Sequence, residues 1–228
     1  YRYEDATEKS KDLVRMAVSR AIHARQLTRQ KIDVTKSALV IGGGMAGMTA
    51  ALEIASMGYK VYLVEKKGRL GGNAARLNVM PSGRPAGNYV NRYINEVLSN
   101  KLIEVFLNSE IKSIDGYVGK YKTVISSAEG ERELEHGVVI VAVGAEEHKP
   151  SGYLYGREER VVTQLELEEM LNSGGKLDAK NVVMIQCVGS RDEDRAYCSR
   201  VCCSQAIKNA LLLKEQGNDT NVTILYRD

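Results

Sequence analysis

The chain has 228 residues, with 32 Lys and Arg against 29 Asp and Glu and a formal net charge of +3. Charges of both signs are interleaved along the chain, which excludes the basic surface typical of nucleic-acid binding. No apolar run approaches the length needed to cross a membrane, and no signal peptide is expected. Because the first residue is Tyr1 rather than Met, we expect a fragment of a longer polypeptide.

The first 36 residues are predicted to form one helix and a connection. Apolar residues recur at helical spacing through residues 5–26, and a polar stretch follows at 27–36. We expect the apolar stripe of this helix to pack on the body of the protein or on a partner subunit.

A glycine-rich turn organises the region that follows. Residues 38–41 read as a strand, and Gly42, Gly44 and Gly47 then fit the pattern G-x-G-x-x-G at the start of a helix. The first glycine allows a tight turn, the second lets a pyrophosphate approach the backbone, and the third lets helix and strand pack closely. The alternative is a glycine turn without a ligand.

Two neighbouring features complete the predicted dinucleotide site. The free N–H groups of Met45 and Ala46, at the start of the helix, suit a phosphate. Glu65 ends the next strand, 18 residues after Gly47, where a carboxylate can bind ribose hydroxyls.

A second glycine loop follows Glu65 directly. Gly71 and Gly72 suit a loop that lies across a ligand, with Lys66 beside the ribose carboxylate and Arg69 as a candidate to approach the pyrophosphate. The alternative is an ordinary glycine loop.

The next elements are predicted from periodicity. Residues 88–100 form a helix, and short β-like runs between 103 and 134 predict an antiparallel meander. The continuous apolar run 138–143 is typical of a buried parallel strand. His136 and His148 flank this strand, and neither is assigned a catalytic role.

Together these features resemble the FAD-binding half of the two-dinucleotide-binding-domain flavoproteins, the thioredoxin-reductase-like group. The resemblance implies an α/β fold, with an FAD-binding Rossmann domain and β-meander at 37–150. It implies that Ala142, Val143 and Gly144 pass close to FAD, and that the backbone near Ile111 lies beside the adenine.

Residues 151–228 are predicted to form part of a second Rossmann-like domain. Strand 182–185, helix 206–214 and strand 222–226 repeat the first pattern, but residues 186–203 lack the phosphate fingerprint. All four cysteines lie in this loop, namely Cys187, Cys198, Cys202 and Cys203. Such clustering favours a local site in a reducing compartment over a disulfide framework. We infer that NAD(P)H binding is lost here and that a cysteine-ligated centre replaces it.

The cysteine spacing is C-x10-C-x3-C-C. If helical, Cys198 and Cys202 share one face. Only that pair fits the spacing typical of structural zinc sites, whereas a [4Fe–4S] cluster takes thiolates from more widely separated directions. We favour [4Fe–4S]; zinc and redox-active or buried thiols are the alternatives.

Residues 6–18, 162–168, 185–191 and 197–203 closely resemble the A subunit of heterodisulfide reductase. The resemblance implies an oxidoreductase subunit that carries FAD and iron–sulfur clusters, one of them held by these four cysteines. It implies cytoplasmic complexes, with a homodimer of this subunit beside other reductase subunits. Electrons would pass from a hydrogenase or formate dehydrogenase, by flavin-based bifurcation, to ferredoxin and to a disulfide of methanogenesis such as CoM-S-S-CoB. The fragment alone is expected to be inactive.

Three other functions fit parts of the sequence. The chain could act mainly as an assembly module of such a complex. It could be the flavin subunit of a quinone-interacting membrane-associated oxidoreductase. It could also be a pyridine-nucleotide disulfide reductase that uses Cys202 and Cys203, although that family usually spaces its redox cysteines and keeps the second glycine fingerprint.

Overall fold

The structure, a computed structural model, describes residues 3–25, 31–80, 82–174, 177, 179–216 and 219–227. It divides into two compact units, residues 1–33 and residues 34–228, which are taken separately below.

The first unit consists of helix α1, Tyr3–His23. This confirms the predicted helix, although α1 starts two residues earlier than expected and ends at His23; residues 26–30, which include the first part of the predicted connection, lie outside the described residues. None of its residues is buried, and its apolar side chains, including Val14, Met16 and Ile22, are exposed.

The second unit holds the remaining elements. In chain order they are β1 Ser37–Ile41, α2 Met45–Ser56, β2 Lys60–Val64, a 3₁₀ helix Gly72–Arg76, α3 Ala86–Ser99, β3 Ile103–Phe106, β4 Glu110–Tyr117, β5 Lys120–Ser127, β6 Gly130–His136, β7 Val138–Val141, α4 Gln164–Asn172, β8 Asn181–Ile185, α5 Cys202–Gln216 and β9 Asn221–Leu225.

A parallel sheet with strand order β3-β2-β1-β7 forms the centre of this unit. Val40 of β1 and Leu63 of β2 are fully buried against Met48 and Ala51 of α2. In register, Ile41 lies beside both Val64 and Val141, so the carboxyl ends of three strands meet at one edge of the sheet. Ligands of open α/β sheets bind outside this edge.

The structure corrects two details of the predicted strands. The run that starts at Ile103 belongs to the parallel sheet, where it pairs with β2, so only β4, β5 and β6 form the antiparallel meander. Strand β7 is parallel as predicted, but it is an edge strand with Val138 and Val141 exposed rather than buried. An apolar run alone does not distinguish a central strand from an edge strand, because that position depends on whether other strands pair on both of its sides.

The second Rossmann-like pattern is present. Strands β8 and β9 are parallel and in register, and α5 precedes β9, as predicted. Helix α4 was not predicted from periodicity; Thr163 and Glu166 form a capping box at its start. A separate apolar cluster holds these elements together, built on Leu167, Leu171, Met184, Ala206 and Leu213. The domain limits 37–150 and 151–228 stay predictions.

A buried ion pair links α4 and α5 to the segment that follows the 3₁₀ helix. The Lys208 ammonium donates to both carboxylate oxygens of Glu168, at 2.5 and 2.6 Å. The same carboxylate accepts the backbone N–H of Asn78, and Lys208 also donates to the Val79 carbonyl. Because Glu168 is fully buried and Lys208 nearly so, each charge depends on the other.

Within the part of the chain that the structure describes, no helix is long and apolar enough to cross a membrane.

Candidate functional site

The first and third glycines of the turn are required by packing. A Cβ at Gly47 would lie 1.8 Å from the Gly42 carbonyl oxygen, and a Cβ at Gly42 would lie 2.3 Å from the Ala142 carbonyl oxygen. Gly42 also has φ +108°, a left-handed conformation that side chains disfavour. These glycines bring the turn, helix α2 and the segment after β7 into close contact.

Gly44 differs from Gly42 and Gly47 because the position of its missing Cβ atom faces open space. No heavy atom lies within 4 Å of the position where its Cβ would be, although its backbone is extended and would accept a side chain. Gly44 is the N-cap of α2 without a side-chain cap, so the N–H groups of Met45, Ala46 and Gly47 are open donors of the first turn. Open space beside free donors is the arrangement that binds a phosphate.

Glu65 has a structural role that sequence reasoning missed. Its carboxylate is buried, and it accepts the N–H of Gly43 at 2.6 Å and the N–H of Lys67 at 2.8 Å. It therefore joins the glycine turn to the loop after β2. A carboxylate has further lone pairs, so these bonds leave acceptor capacity for ribose hydroxyls.

The two glycine loops touch each other. The Gly71 N–H donates to the Gly43 carbonyl at 2.8 Å, and a Cβ at Gly72 would lie 3.1 Å from the Gly44 Cα. Both residues of the second loop have positive φ. Beside them, Lys66 forms an ion pair with Glu146, at 2.7 Å, and Arg69 is exposed.

The strand-end residues also reach the turn. The Ala142 N–H donates to the Ile41 carbonyl at 2.8 Å, and Val143 and Gly144 continue exposed beyond it. Ile111 lies in β4, where its side chain packs against a cluster built on Leu39 and Leu134. The predicted adenine contact of its backbone stays a prediction.

A charged cleft of about 510 Å³ lies between the second glycine loop, the segment after β7 and the cysteine loop. Eight residues line it, namely Lys67, Asn73, Arg76, Glu146, Glu147, His148, Lys149 and Arg195. The turn glycines do not line this cleft. Sequence reasoning missed it, although the charged run at 146–149 was the available signal.

The cysteine loop connects β8 to α5. All four cysteines are free; Cys198 and Cys203 are exposed, whereas Cys187 and Cys202 are half-buried. Helix α5 begins at Cys202, so Cys198 lies before the helix, and the condition under which Cys198 and Cys202 would share a helical face is not met. Arg200, with φ +61°, separates them and donates its N–H to the Cys198 sulfur at 3.3 Å.

The four thiols share one electrostatic neighbourhood. Although the Cys203 thiol is largely exposed, partial desolvation raises its pKa, and the thiols of Cys202, Cys187 and Cys198 raise it further. Among the described residues, no group of three or more His, Cys, Asp or Glu side chains is arranged to hold a metal ion. The four ligands predicted from the sequence are therefore grouped but not assembled around a single ion.

Gln186 supplies an independent observation at this loop. It directly precedes Cys187 and is buried, and its Nε2 has no hydrogen-bond partner. A buried amide without a partner costs about 1–3 kcal/mol, so such groups need an explanation. Sulfur atoms held by the neighbouring cysteines would be suitable acceptors, and in this respect the residues fit a cysteine-bound centre.

These features define the class of the protein: a Rossmann dinucleotide-binding unit with an antiparallel meander, followed by a second Rossmann-like unit whose glycine turn is replaced by a cysteine loop. The chain belongs to the pyridine nucleotide-disulphide oxidoreductase family, whose model matches residues 36–190. This confirms the predicted α/β flavoprotein fold class and an oxidoreductase.

Curated relatives match nearly the whole chain. The A subunit of the H(2):CoB-CoM heterodisulfide,ferredoxin reductase of Methanothermobacter marburgensis is 33% identical over 318 aligned positions, which cover 99% of this chain and 48% of the relative. An iron-sulfur subunit of the CoB–CoM heterodisulfide reductase of Methanopyrus kandleri is 31% identical, with the same coverage. The predicted resemblance to the A subunit of heterodisulfide reductase is thus confirmed.

The chain spans about half the length of the curated relatives it matches. Among solved structures, L-proline dehydrogenase from P. horikoshii aligns with a TM-score of 0.54 at 17% identity, over 87% of this chain and 37% of that one. At this identity the likeness shows a shared fold.

Proposed function

We propose that this chain is the FAD- and [4Fe–4S]-binding, electron-transferring part of the A subunit of a heterodisulfide reductase-type complex. One observation carries the proposal: the first nucleotide-binding turn is intact and open at Gly44, whereas four free cysteines replace the second turn. A chain that keeps its first dinucleotide site and exchanges the second for thiols is suited to passing electrons between two bound centres.

The glycine turn would hold the ADP part of FAD. Backbone N–H groups of Met45, Ala46 and Gly47 would bind the pyrophosphate, and Glu65 would bind ribose while it keeps the turn in place. Gly71 and Gly72 would lie across the cofactor, with Lys66 and Arg69 close by, and Ala142, Val143 and Gly144 would line its other side. FAD supplies the exchange of electron pairs for single electrons, and the protein supplies binding and orientation.

The cysteine loop would hold the cluster through Cys187, Cys198, Cys202 and Cys203. Thiolates are the ligands that iron–sulfur clusters take, and hydrogen bonds to their sulfurs tune the reduction potential. Gln186 has a buried N–H donor free for that purpose.

For the whole protein we propose a role within a cytoplasmic complex. Electrons from a hydrogenase or formate dehydrogenase would reach a disulfide such as CoM-S-S-CoB and ferredoxin, by flavin-based bifurcation. The protein would be a homodimer beside the other reductase subunits. The name of one relative, which includes H(2), CoB-CoM heterodisulfide and ferredoxin, supports the proposed electron source and the two acceptors.

Cofactor content tests the proposal. The full-length protein, prepared without oxygen, is expected to contain one FAD and at least the four iron and four sulfide of one cluster per chain, with flavin and cluster absorption bands. Gly44→Val should lose FAD but keep iron. A native protein without flavin, or with iron well below four per chain, would refute the proposal.

A second candidate, an assembly module, is favoured by α1. This helix exposes the apolar side chains of Leu13, Val14, Met16, Val18 and Ile22, and exposed apolar surface can mark a protein–protein contact. Size-exclusion chromatography of the chain with the other reductase subunits tests it. A monomer that binds none of them would count against this candidate.

A further inference from the structure

His148 contacts the cysteine loop at two points. Its ring lies over Gly189, so that a Cβ there would be 2.2 Å from the ring Cδ2 and 2.4 Å from Nε2. Its Nδ1 is 3.0 Å from the terminal nitrogen of Arg195. Both contacts fall between Cys187 and Cys198, in the part of the loop that separates the first cysteine from the other three.

The Arg195 contact holds one side of the His148 ring. A guanidinium group only donates hydrogen bonds, so Nδ1 is the acceptor in this contact. The ring then places Nε2 against the backbone of Gly189. Gly189 has φ +67°, and any side chain there would meet the ring. The fit therefore needs both the histidine and the glycine.

The segment that carries His148 is held at its other end by the second glycine loop. The Asn73 side-chain amide donates to the Ala145 carbonyl at 2.9 Å, and Glu146 pairs with Lys66 at 2.7 Å. The next residue, Glu147, accepts from the Thr163 hydroxyl at 2.6 Å and from the N–H of Leu165 at 3.0 Å. Consecutive residues thus bind the glycine loop, the start of α4 and the cysteine loop.

We propose that His148 is a positioning residue, which fixes the cysteine loop relative to the second glycine loop. The contact stands on the geometry alone, whereas its redox consequence rests on the proposed function. Where FAD and a cluster are bound at these loops, His148 sets the distance and orientation between them. Electron transfer depends steeply on that distance, so the side chain acts on it without touching either centre.

The cofactor-free chain gives the first test. Amide hydrogen exchange over residues 187–197 and the rate of maleimide labelling of Cys187 should each rise threefold or more in His148→Ala. His148→Asn should restore values within twofold of wild type, because its Oδ1 can accept from Arg195 as Nδ1 does. His23→Ala, at the end of α1, is the matched control and should change neither.

A second variant covers the case in which His148→Ala fails to fold. Gly189→Ala leaves His148 intact but fills the space under its ring, so it should raise exchange and labelling in the same way. The proposal is overturned if His148→Ala or Gly189→Ala, folded by circular dichroism, matches His23→Ala in both measurements.

The loaded protein gives the test of the redox consequence. In anaerobically prepared full-length protein, His148→Ala should keep its flavin and iron content but change the EPR line shape and midpoint potential of the cluster. His148→Asn should return both toward wild type. Unchanged spectra would overturn the redox role. Absence of flavin and iron from the wild type would instead refute the proposed function and leave the exchange result standing.

Discussion

Replacing Gly47 by alanine tests whether packing rather than ligand binding fixes the third glycine. The added Cβ would lie 1.8 Å from the Gly42 carbonyl oxygen, so α2 and the turn must separate by more than about 1 Å to reach van der Waals distance. Both partners are backbone, so no side chain can turn away. Overpacking of this kind costs about 1–3 kcal/mol or more, against about 1 kcal/mol gained because alanine is the better helix former.

We therefore expect Gly47→Ala to lower the free energy of unfolding by about 2 kcal/mol, which is a fall in Tm of about 4–8 °C for a chain of this size. Gly87→Ala is the matched control, because Gly87 is also helical and nothing lies within 4 Å of its Cβ position. Gly44→Ala should lower the free energy of unfolding by less than about 1 kcal/mol, because glycine is a better N-cap residue than alanine. The same variant should weaken flavin binding. Thermal and chemical unfolding of the cofactor-free chain measure these changes. If Gly47→Ala were as stable as Gly87→Ala, the packing argument would be wrong.

Three further predictions concern buried groups and the cysteine loop. Glu168→Ala should lower the free energy of unfolding, measured by chemical denaturation, by about 3–5 kcal/mol, because it leaves the buried Lys208 charge without its partner. The double variant Glu168→Leu, Lys208→Met should recover most of that loss. A double variant as unstable as Glu168→Ala would contradict this. His136 is fully buried, and burial lowers its pKa from 6.5 in the folded chain. As the pH falls, the unfolded chain therefore takes up the proton before the folded chain does. The free energy of unfolding should decrease as the pH drops from 6.5 through the folded pKa. His136→Gln should remove this pH dependence of the free energy of unfolding. If the variant showed the same pH dependence as wild type, His136 would not be its source. Cys198→Ala should lose the iron and sulfide of one cluster but keep flavin in anaerobic protein, and retention of the full iron content would remove Cys198 from the ligand set.

The sequence predicted the elements whose signals are local. Gly42, Gly44 and Gly47 identify the turn because their spacing lies within six residues, and the structure shows close backbone contacts at Gly42 and Gly47. The second Rossmann-like unit could also be predicted, because strand and helix periodicities need only neighbouring residues.

Residues distant in the sequence decided the rest. Strand β7 is exposed at the sheet edge because no described strand pairs with its far side, which its apolar sequence does not reveal. Helix α5 starts at Cys202, four residues before the predicted start, and leaves Cys198 in the loop; the apolar cluster that holds α5 joins it to α4 and β8.

The sequence by itself therefore determined the family, the intact first nucleotide turn and the grouping of four cysteines in one loop, because these are properties of spacing and residue type. Only the tertiary structure decided that Glu65 binds the turn, that Glu168 and Lys208 form a buried pair and that His148 reaches Gly189 and Arg195. Each of these contacts joins residues that are distant in the chain, and their geometry exists only after the chain has folded.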